Sequence, residues 1–162
     1  MSRTFATGGA PHFPPQTTVA GVMKQVLYAL LPGIIAYTWF FGPGILVQIA
    51  LAVIFALFFD ALMLQARKQP IKQFLGDWSA VVTGVLFALC LPSLAPWWVA
   101  LVGMLFAIVV AKHLYGGLGQ NMFNPAMVGY VVVLISFPQV MALWLPPASI
   151  ASHSLAIGDV LS

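Results

Sequence analysis

Five long apolar segments follow one another along this chain, and they constrain its fold more than any other feature. They run from Val22 to Phe41, from Ile45 to Leu64, from Trp78 to Ala95, from Trp97 to Lys112 and from Pro125 to Leu145. A helix that crosses a membrane needs about 20 mostly apolar residues. Only 6% of the residues are charged and none is a glutamate, whereas soluble domains carry about 25% charged residues. The sequence therefore predicts an all-α integral membrane protein with about five transmembrane helices.

Prolines are expected to disturb three of these helices. Proline lacks an N–H donor and its ring clashes with the preceding helical turn. Pro32 and Pro138 are therefore expected to kink the first and fifth helices. Pro92 interrupts the third segment, so we expect that helix to be short or partly re-entrant.

The basic residues fall on one side of the five-helix arrangement. They are Arg3, Lys24, Arg67, Lys68, Lys72 and Lys112. The positive-inside rule then places a tail of residues 1–21 in the cytoplasm and residues 146–162 outside, on either side of a membrane domain of residues 22–145. An odd number of spans is typical of one repeat of an inverted-repeat transporter. The scattered basic residues form no patch for nucleic acid.

Asp60 is the polar residue that most needs an explanation, because an acidic side chain within a membrane helix is costly. Two interpretations are open: an ion pair with Arg67 or Lys68, or a role near the entrance of an ion pathway. Lys112 and His113 end the fourth helix and are expected at the membrane interface, where a lysine can extend its ammonium group to water.

Thr83 and Asp77 have simpler local explanations. A threonine in a membrane helix most often bonds its own backbone one turn back, and Asp77 is placed to cap the third helix. Thr83 is of interest because of its position. It is predicted to lie on the same membrane side as the polar stretch that follows the fourth helix.

That stretch is Tyr115 to Met127, "YGGLGQNMFNPAM". Its first two glycines suit a left-handed helix end, and Asn124-Pro125 is typical of a helix start. Candidate binding residues in it are Gly117, Gly119, Gln120, Asn121 and Asn124. Amide side chains both donate and accept hydrogen bonds, and the nearby helix N-termini favour a ligand that carries carbonyls or develops negative charge. A flavin ring meets that description, although these features alone indicate only a polar ligand.

The chain offers little for other kinds of chemistry. No nucleophile with a partner base is apparent, so no catalytic residue is predicted. The lone Cys90 and three widely spaced histidines do not form a metal site. The tripeptide Asn124 to Ala126, NPA, resembles half of the water-channel signature. A passive small-solute channel is therefore one alternative, and a structural scaffold subunit is another.

The segment "KHLYGGLGQNMFNPAMVGYVVVLISFP", together with "DWSAVVTGVLFALCLPSLAPWW", resembles the RnfD family, whose members are membrane subunits of the Rnf ion-translocating ferredoxin:NAD oxidoreductase complex. It is similar, more distantly, to the NqrB component of the sodium-pumping NADH:quinone oxidoreductase. The resemblance implies a ten-helix subunit of two inverted five-helix repeats, of which this chain is the first half. It also implies a multi-pass subunit of the bacterial inner membrane that carries electrons through bound flavin and couples ferredoxin/NAD chemistry to Na⁺ or H⁺ translocation. Iron–sulfur and flavin subunits are the implied partners.

The resemblance also implies two flavins and an ion pathway. A non-covalent riboflavin is expected near the cytoplasmic side at Thr83, Asn121 and Asn124. Phe106 matches a member of the family's phenylalanine constriction in the ion path, although packing or lipid contact explains it equally well. The family attaches FMN through phosphate to a threonine, and no matching motif occurs in these residues. It is expected beyond Ser162, in a C-terminal part that this chain lacks.

Overall fold

The structure, a computed structural model, describes residues 18–146 except for the side chain of Gln73, and these residues form helices and turns without a strand. Three helices are long and apolar enough to cross a membrane: α1 (Val19–Phe41), α2 (Gly44–Ala66) and α5 (Trp97–Leu114). The shorter helices are α3 (Ile71–Leu75), α4 (Ser79–Ala88), α6 (Pro125–Ser136) and α7 (Pro138–Met141). The predicted all-α membrane fold is confirmed.

The third and fifth apolar segments form shorter helices than their hydropathy suggests. Helix α4 ends at Ala88, ahead of Pro92, as the proline predicted. Helix α6 ends at Ser136 because Phe137, with φ −132° and ψ 55°, leaves the helical conformation. A residue before proline is pushed out of the α region, so Pro138 ends one helix and starts the next. Pro32, in contrast, lies inside a continuous α1.

Helix α2 lies at the centre of the described helices. It packs against α1, α3, α4 and α5. Its closest approach is to α4, where a Cβ on Gly84 would lie 3.0 Å from the Cα of Val53. Helix α1 is peripheral, and none of its residues is buried.

Helices α5 and α6 also meet through small residues. A Cβ on Gly129 would lie 2.6 Å from the carbonyl oxygen of Gly103, and Gly103 itself lies against the ring of Phe87. Small residues let backbones approach closely where lipid provides no hydrophobic drive between helices. The alignment of these glycines therefore sets the distance between α5 and α6.

The second part of α5, Leu105–Leu114, is wound as a π-helix. Its i→i+5 hydrogen bonds put more residues in each turn than an α-helix has, so neighbouring side chains point in more similar directions. Ala111, Lys112 and His113 are consecutive and are all buried. This winding directs two polar residues towards α2 and α4.

The segment after α4 is fixed to the start of α2 at the end of the bundle opposite Lys112. Gln48 of α2 is fully buried, and its side-chain nitrogen donates to the carbonyl oxygen of Ala95. Gly44 lies against Ser93, whose carbonyl oxygen would be 2.9 Å from a Cβ added to the glycine. The segment after α4 is thereby held against the start of α2.

Some predictions fall on residues outside the described range. Residues 1–17 and 147–162 lie outside it, so most of the predicted cytoplasmic tail and of the predicted external segment stays a prediction. The threonine expected to carry FMN, beyond Ser162, lies outside it too. The membrane side on which each connection lies also stays a prediction.

Gly129→Ala tests the close approach of α5 and α6. The added methyl group meets backbone, so one helix must shift, and overpacking of this kind costs about 1–3 kcal/mol. We expect a lower thermal unfolding temperature for the intact protein in detergent. Gly33→Ala is the matched control, because nothing lies within 4 Å of its added Cβ. Equal unfolding temperatures for the two variants would contradict the packing described.

Candidate functional site

A small cleft of about 160 Å³ opens where the starts of α4 and α6 face the π-wound part of α5. It is lined by Met23, Ser79, Val82, Thr83, Leu86, Lys112, Leu118, Asn121, Asn124 and Pro125. The structure therefore brings together Thr83, Asn121 and Asn124, which come from two separate parts of the sequence.

Thr83 is buried in α4, and its Oγ1 donates a hydrogen bond to the carbonyl oxygen of Ser79 at 2.8 Å. The expected bond to its own backbone is thus confirmed. That bond uses the hydroxyl proton, so the Thr83 oxygen can offer the cleft only an acceptor.

The two asparagines are each held by one local bond. Asn121 Nδ2 donates to the carbonyl oxygen of Phe123 at 2.8 Å, which leaves Oδ1 as an acceptor. Asn124 Oδ1 accepts from the N–H of Ala126 at 3.0 Å, which leaves Nδ2 as a donor. The predicted helix start at Asn124-Pro125 is confirmed. One amide edge of each polarity is therefore available to a ligand.

The remaining candidates of the polar stretch are not among the residues that line the cleft. Gly117 and Gly119 have φ of 107° and 84°, the left-handed region that favours glycine. Gly117 lines the larger neighbouring pocket, and Gln120 is exposed. Phe106 is partly buried in α5 and lines neither the cleft nor that pocket. The proposed roles of these four residues stay predictions.

The larger pocket has a volume of about 430 Å³; we call it the polar pocket. It is lined by Val19, Asp60, Leu64, Arg67, Gln69, Phe74, Asp77, Lys112, His113, Gly116, Gly117 and Leu118. Asp77 caps α4 by accepting from the N–H of Ser79 at 2.7 Å. Four of the lining residues can carry charge besides His113: Asp60, Arg67, Asp77 and Lys112.

Asp60 forms an ion pair, but the partners named from the sequence are wrong. Its Oδ1 accepts from Lys112 Nζ at 2.8 Å and from His113 Nε2 at 2.6 Å. Arg67 instead donates to the carbonyl oxygen of Gly116 at 3.4 Å. We call Asp60, Lys112 and His113 the ionic cluster.

The side chains of Lys112 and His113 are buried within the protein, contrary to the expectation that they extend to water at a helix end. They are only 5% and 6% exposed, because the π-winding turns both towards Asp60. Lys112 Nζ also donates to Ser79 Oγ at 2.9 Å. The ionic cluster thus joins α2, α4 and α5.

Two atoms of the ionic cluster lack a hydrogen-bond partner among the described residues. They are Asp60 Oδ2 and His113 Nδ1, and both are buried. Buried polar atoms nearly always have a partner, so each exception calls for an explanation.

Lys112 lines both the cleft and the polar pocket, as does Leu118. This role was not predicted from the sequence, and neither was any role for Ser79. One signal was available: Asp60 and Lys112 are an acid and a base near the same predicted end of two apolar segments.

Comparison with known proteins gives a consistent family assignment. Residues 6–162 match the profile of the NQR2, RnfD, RnfE family. The chain is 53% identical over 157 residues to a D-type subunit of the ion-translocating oxidoreductase complex from Salmonella paratyphi A, covering 97% of this chain and 45% of that protein. It is 51% identical over 158 residues to the protein of the same name in Aeromonas hydrophila, covering 98% and 45% of the two chains.

The chain spans about half the length of the curated relatives it matches, since it covers 45% of each of these two. The resemblance seen in the sequence is confirmed. This chain belongs to the NQR2, RnfD, RnfE family.

Proposed function

We propose that this chain belongs to a membrane subunit of an ion-translocating oxidoreductase complex and that its cleft holds one edge of a non-covalently bound riboflavin. The relatives carry that complex in their names, and three apolar helices are long enough to span a membrane. The observation that carries the flavin proposal is the meeting of Thr83, Asn121 and Asn124 in one cleft.

The groups that face the cleft suit the pyrimidine edge of a flavin. That edge presents an N–H between two carbonyls. Asn121 Oδ1 and the Thr83 oxygen are acceptors for the N–H, and Asn124 Nδ2 is a donor for a carbonyl. Helices α4 and α6 both begin beside the cleft, and their N-termini favour the negative charge that a flavin gains on reduction.

The size of the cleft supports partial rather than complete enclosure. Small-molecule pockets usually measure about 300–1,000 Å³, and this cleft measures about 160 Å³. We therefore propose that it receives one edge of the ring, and that the rest of the ring contacts other parts of the complex.

Bound flavin supplies the electron-transfer chemistry, and the protein supplies position and electrostatics. Thr83, Asn121 and Asn124 orient the ring edge, and the Lys112 ammonium places a positive charge beside it. We also propose that the complex couples ferredoxin/NAD chemistry to Na⁺ or H⁺ movement and lies in the bacterial inner membrane. Its other subunits are proposed to carry iron–sulfur clusters and flavins, and covalent FMN is proposed for the complete subunit. Phe106 is proposed to narrow the ion path, where an apolar constriction can gate by dewetting.

The channel alternative has less support. The Asn124 side chain accepts from the N–H of Ala126, and Pro125 occupies the first turn of α6. The NPA tripeptide is thereby accounted for as an ordinary helix start.

Thr83→Val and Asn121→Ala test the flavin site. Each removes one hydrogen-bonding group from the cleft, which typically costs about 0.5–1.5 kcal/mol and up to roughly tenfold in affinity. We expect less riboflavin to be released when the purified complex is denatured. Thr38→Val is the matched control, because Thr38 makes the same backbone bond at 2.8 Å but in α1, away from the cleft. Unchanged riboflavin in both cleft variants would move the site elsewhere.

The charge of Lys112 is expected to tune the bound flavin. Lys112→Gln removes a positive charge and leaves Asp60 uncompensated, so the riboflavin midpoint potential should fall by on the order of 60 mV, a tenfold change for one electron. The double variant Asp60→Asn with Lys112→Gln removes both charges and should return the potential towards that of the wild type. Spectroelectrochemical titration measures both. A potential that is equal in all three proteins would show that Lys112 does not face the flavin.

A further inference from the structure

Two buried atoms of residues that line the polar pocket lack a partner among the described residues, and the proposed flavin site uses neither. They are Asp60 Oδ2 and His113 Nδ1. Their residues are 1% and 6% exposed, and both line the pocket of about 430 Å³. Buried polar atoms beside a cavity that lack a partner call for an explanation.

The hydrogen bonds of the ionic cluster fix where its protons lie. Asp60 Oδ1 accepts from the Lys112 ammonium, so the carboxyl group is ionised and can only accept. His113 Nε2, at 2.6 Å from the same oxygen, must then carry the imidazole proton. In the neutral ring Nδ1 is consequently a bare acceptor, and it is a stronger base than Asp60 Oδ2, the other vacant acceptor of the ionic cluster.

The charges around the pocket favour a proton over a metal cation at this position. Lys112 already neutralises Asp60, and a metal ion on Asp60 Oδ2 would lie next to that ammonium. A proton on His113 Nδ1 is instead stabilised through the ring by the Nε2–H bond to the carboxylate, a charge-assisted hydrogen bond.

The other charged groups on this pocket leave the balance even. Arg67, at the end of α2, and Asp77, before α4, carry opposite charges. Helices α1 and α3 contribute the uncharged Val19 and Phe74. One added proton therefore raises the net charge of the pocket by one, and negative charge nearby would compensate it.

Such negative charge would arise in the neighbouring cleft, where the flavin is proposed to bind. Lys112 lines both cavities and so connects them electrostatically. Electrostatic effects reach further in a medium of low dielectric constant than in water. Negative charge added on the cleft side of Lys112 attracts its ammonium and weakens its hold on Asp60, so that a proton on the pocket side restores the balance of charge.

We propose that Asp60, Lys112 and His113 form a proton-binding site that is loaded at His113 Nδ1 when negative charge enters the cleft. This proposal rests on the proposed function, since the charge in the cleft is that of reduced flavin. One electron from a reduced iron–sulfur partner subunit enters the cleft, and one proton from solvent forms an N–H bond at Nδ1 and turns the imidazole into an imidazolium. When the electron passes on to an oxidised partner subunit, the Nδ1–H bond breaks and the proton returns to solvent.

His113→Gln in the complete complex tests the site. The glutamine amide can still donate to Asp60 but cannot take up a proton. An electrode supplies the electrons, and an indicator dye reports protons taken up per electron between about pH 5 and 8, where imidazoles ordinarily titrate. We expect the variant to take up fewer protons than the wild type, by as much as one for each electron that enters the cleft. Leu114→Gln is the matched control, because it places the same side chain on the exposed neighbouring residue and should leave uptake unchanged.

Riboflavin content, measured in the same samples, separates failure of this proposal from failure of the proposed function. Riboflavin that is retained in His113→Gln, with proton uptake equal to the wild type, overturns the proton site. Riboflavin that is unaffected by Thr83→Val and Asn121→Ala overturns the flavin site instead.

If His113→Gln does not assemble, infrared difference spectra of the wild-type complex with ¹⁵N-labelled histidine replace it. A histidine protonation band that accompanies reduction supports the proposal. The absence of any such band overturns it.

Discussion

The buried carboxylate of Asp60 is the constraint on which one end of this structure depends. Removing an ion from water costs several kcal/mol even after relaxation, and a partner must offset that cost with good geometry. Lys112 and His113 do so from α5, and Lys112 is oriented further by Ser79 of α4. The requirement to neutralise one side chain thus holds three helices together where the cleft and the polar pocket form.

Aspartate is short, so this arrangement works only if the helices approach closely. Gly84 brings α4 against the backbone of α2, and Gly129 brings α6 against Gly103 of α5. The polar contact and the small-residue contacts therefore depend on each other. Larger residues at the glycines would separate the helices, and loss of the ion pair would leave a buried charge unpaired at the end of a tightly packed bundle.

Features with a local cause could be predicted from the sequence. Pro92 and Pro138 limit their helices through sterics within a few residues, and Asn124 and Thr83 bond to backbone within one turn. The partner of Asp60 could not be predicted in this way, because it lies 52 residues away. That contact depends on the packing of α5 against α2 and on a π-helical winding that carries no clear sequence signal. The nearby basic residues Arg67 and Lys68 were the natural but incorrect choice.

The ionic cluster is important because the chain carries few charges. Of the nine formal charges in the sequence, two meet at Asp60 and Lys112, with only 1% and 5% of these residues exposed. Mobile ions screen exposed charges, but they screen buried ones much less. A change of charge in the cleft must therefore be compensated by groups in the protein itself. Lys112 lies on the wall of the cleft, and through Asp60 it reaches an imidazole with a vacant nitrogen. With the proposed flavin in the cleft, an electron on one side of that wall and a proton on the other leave the least uncompensated charge.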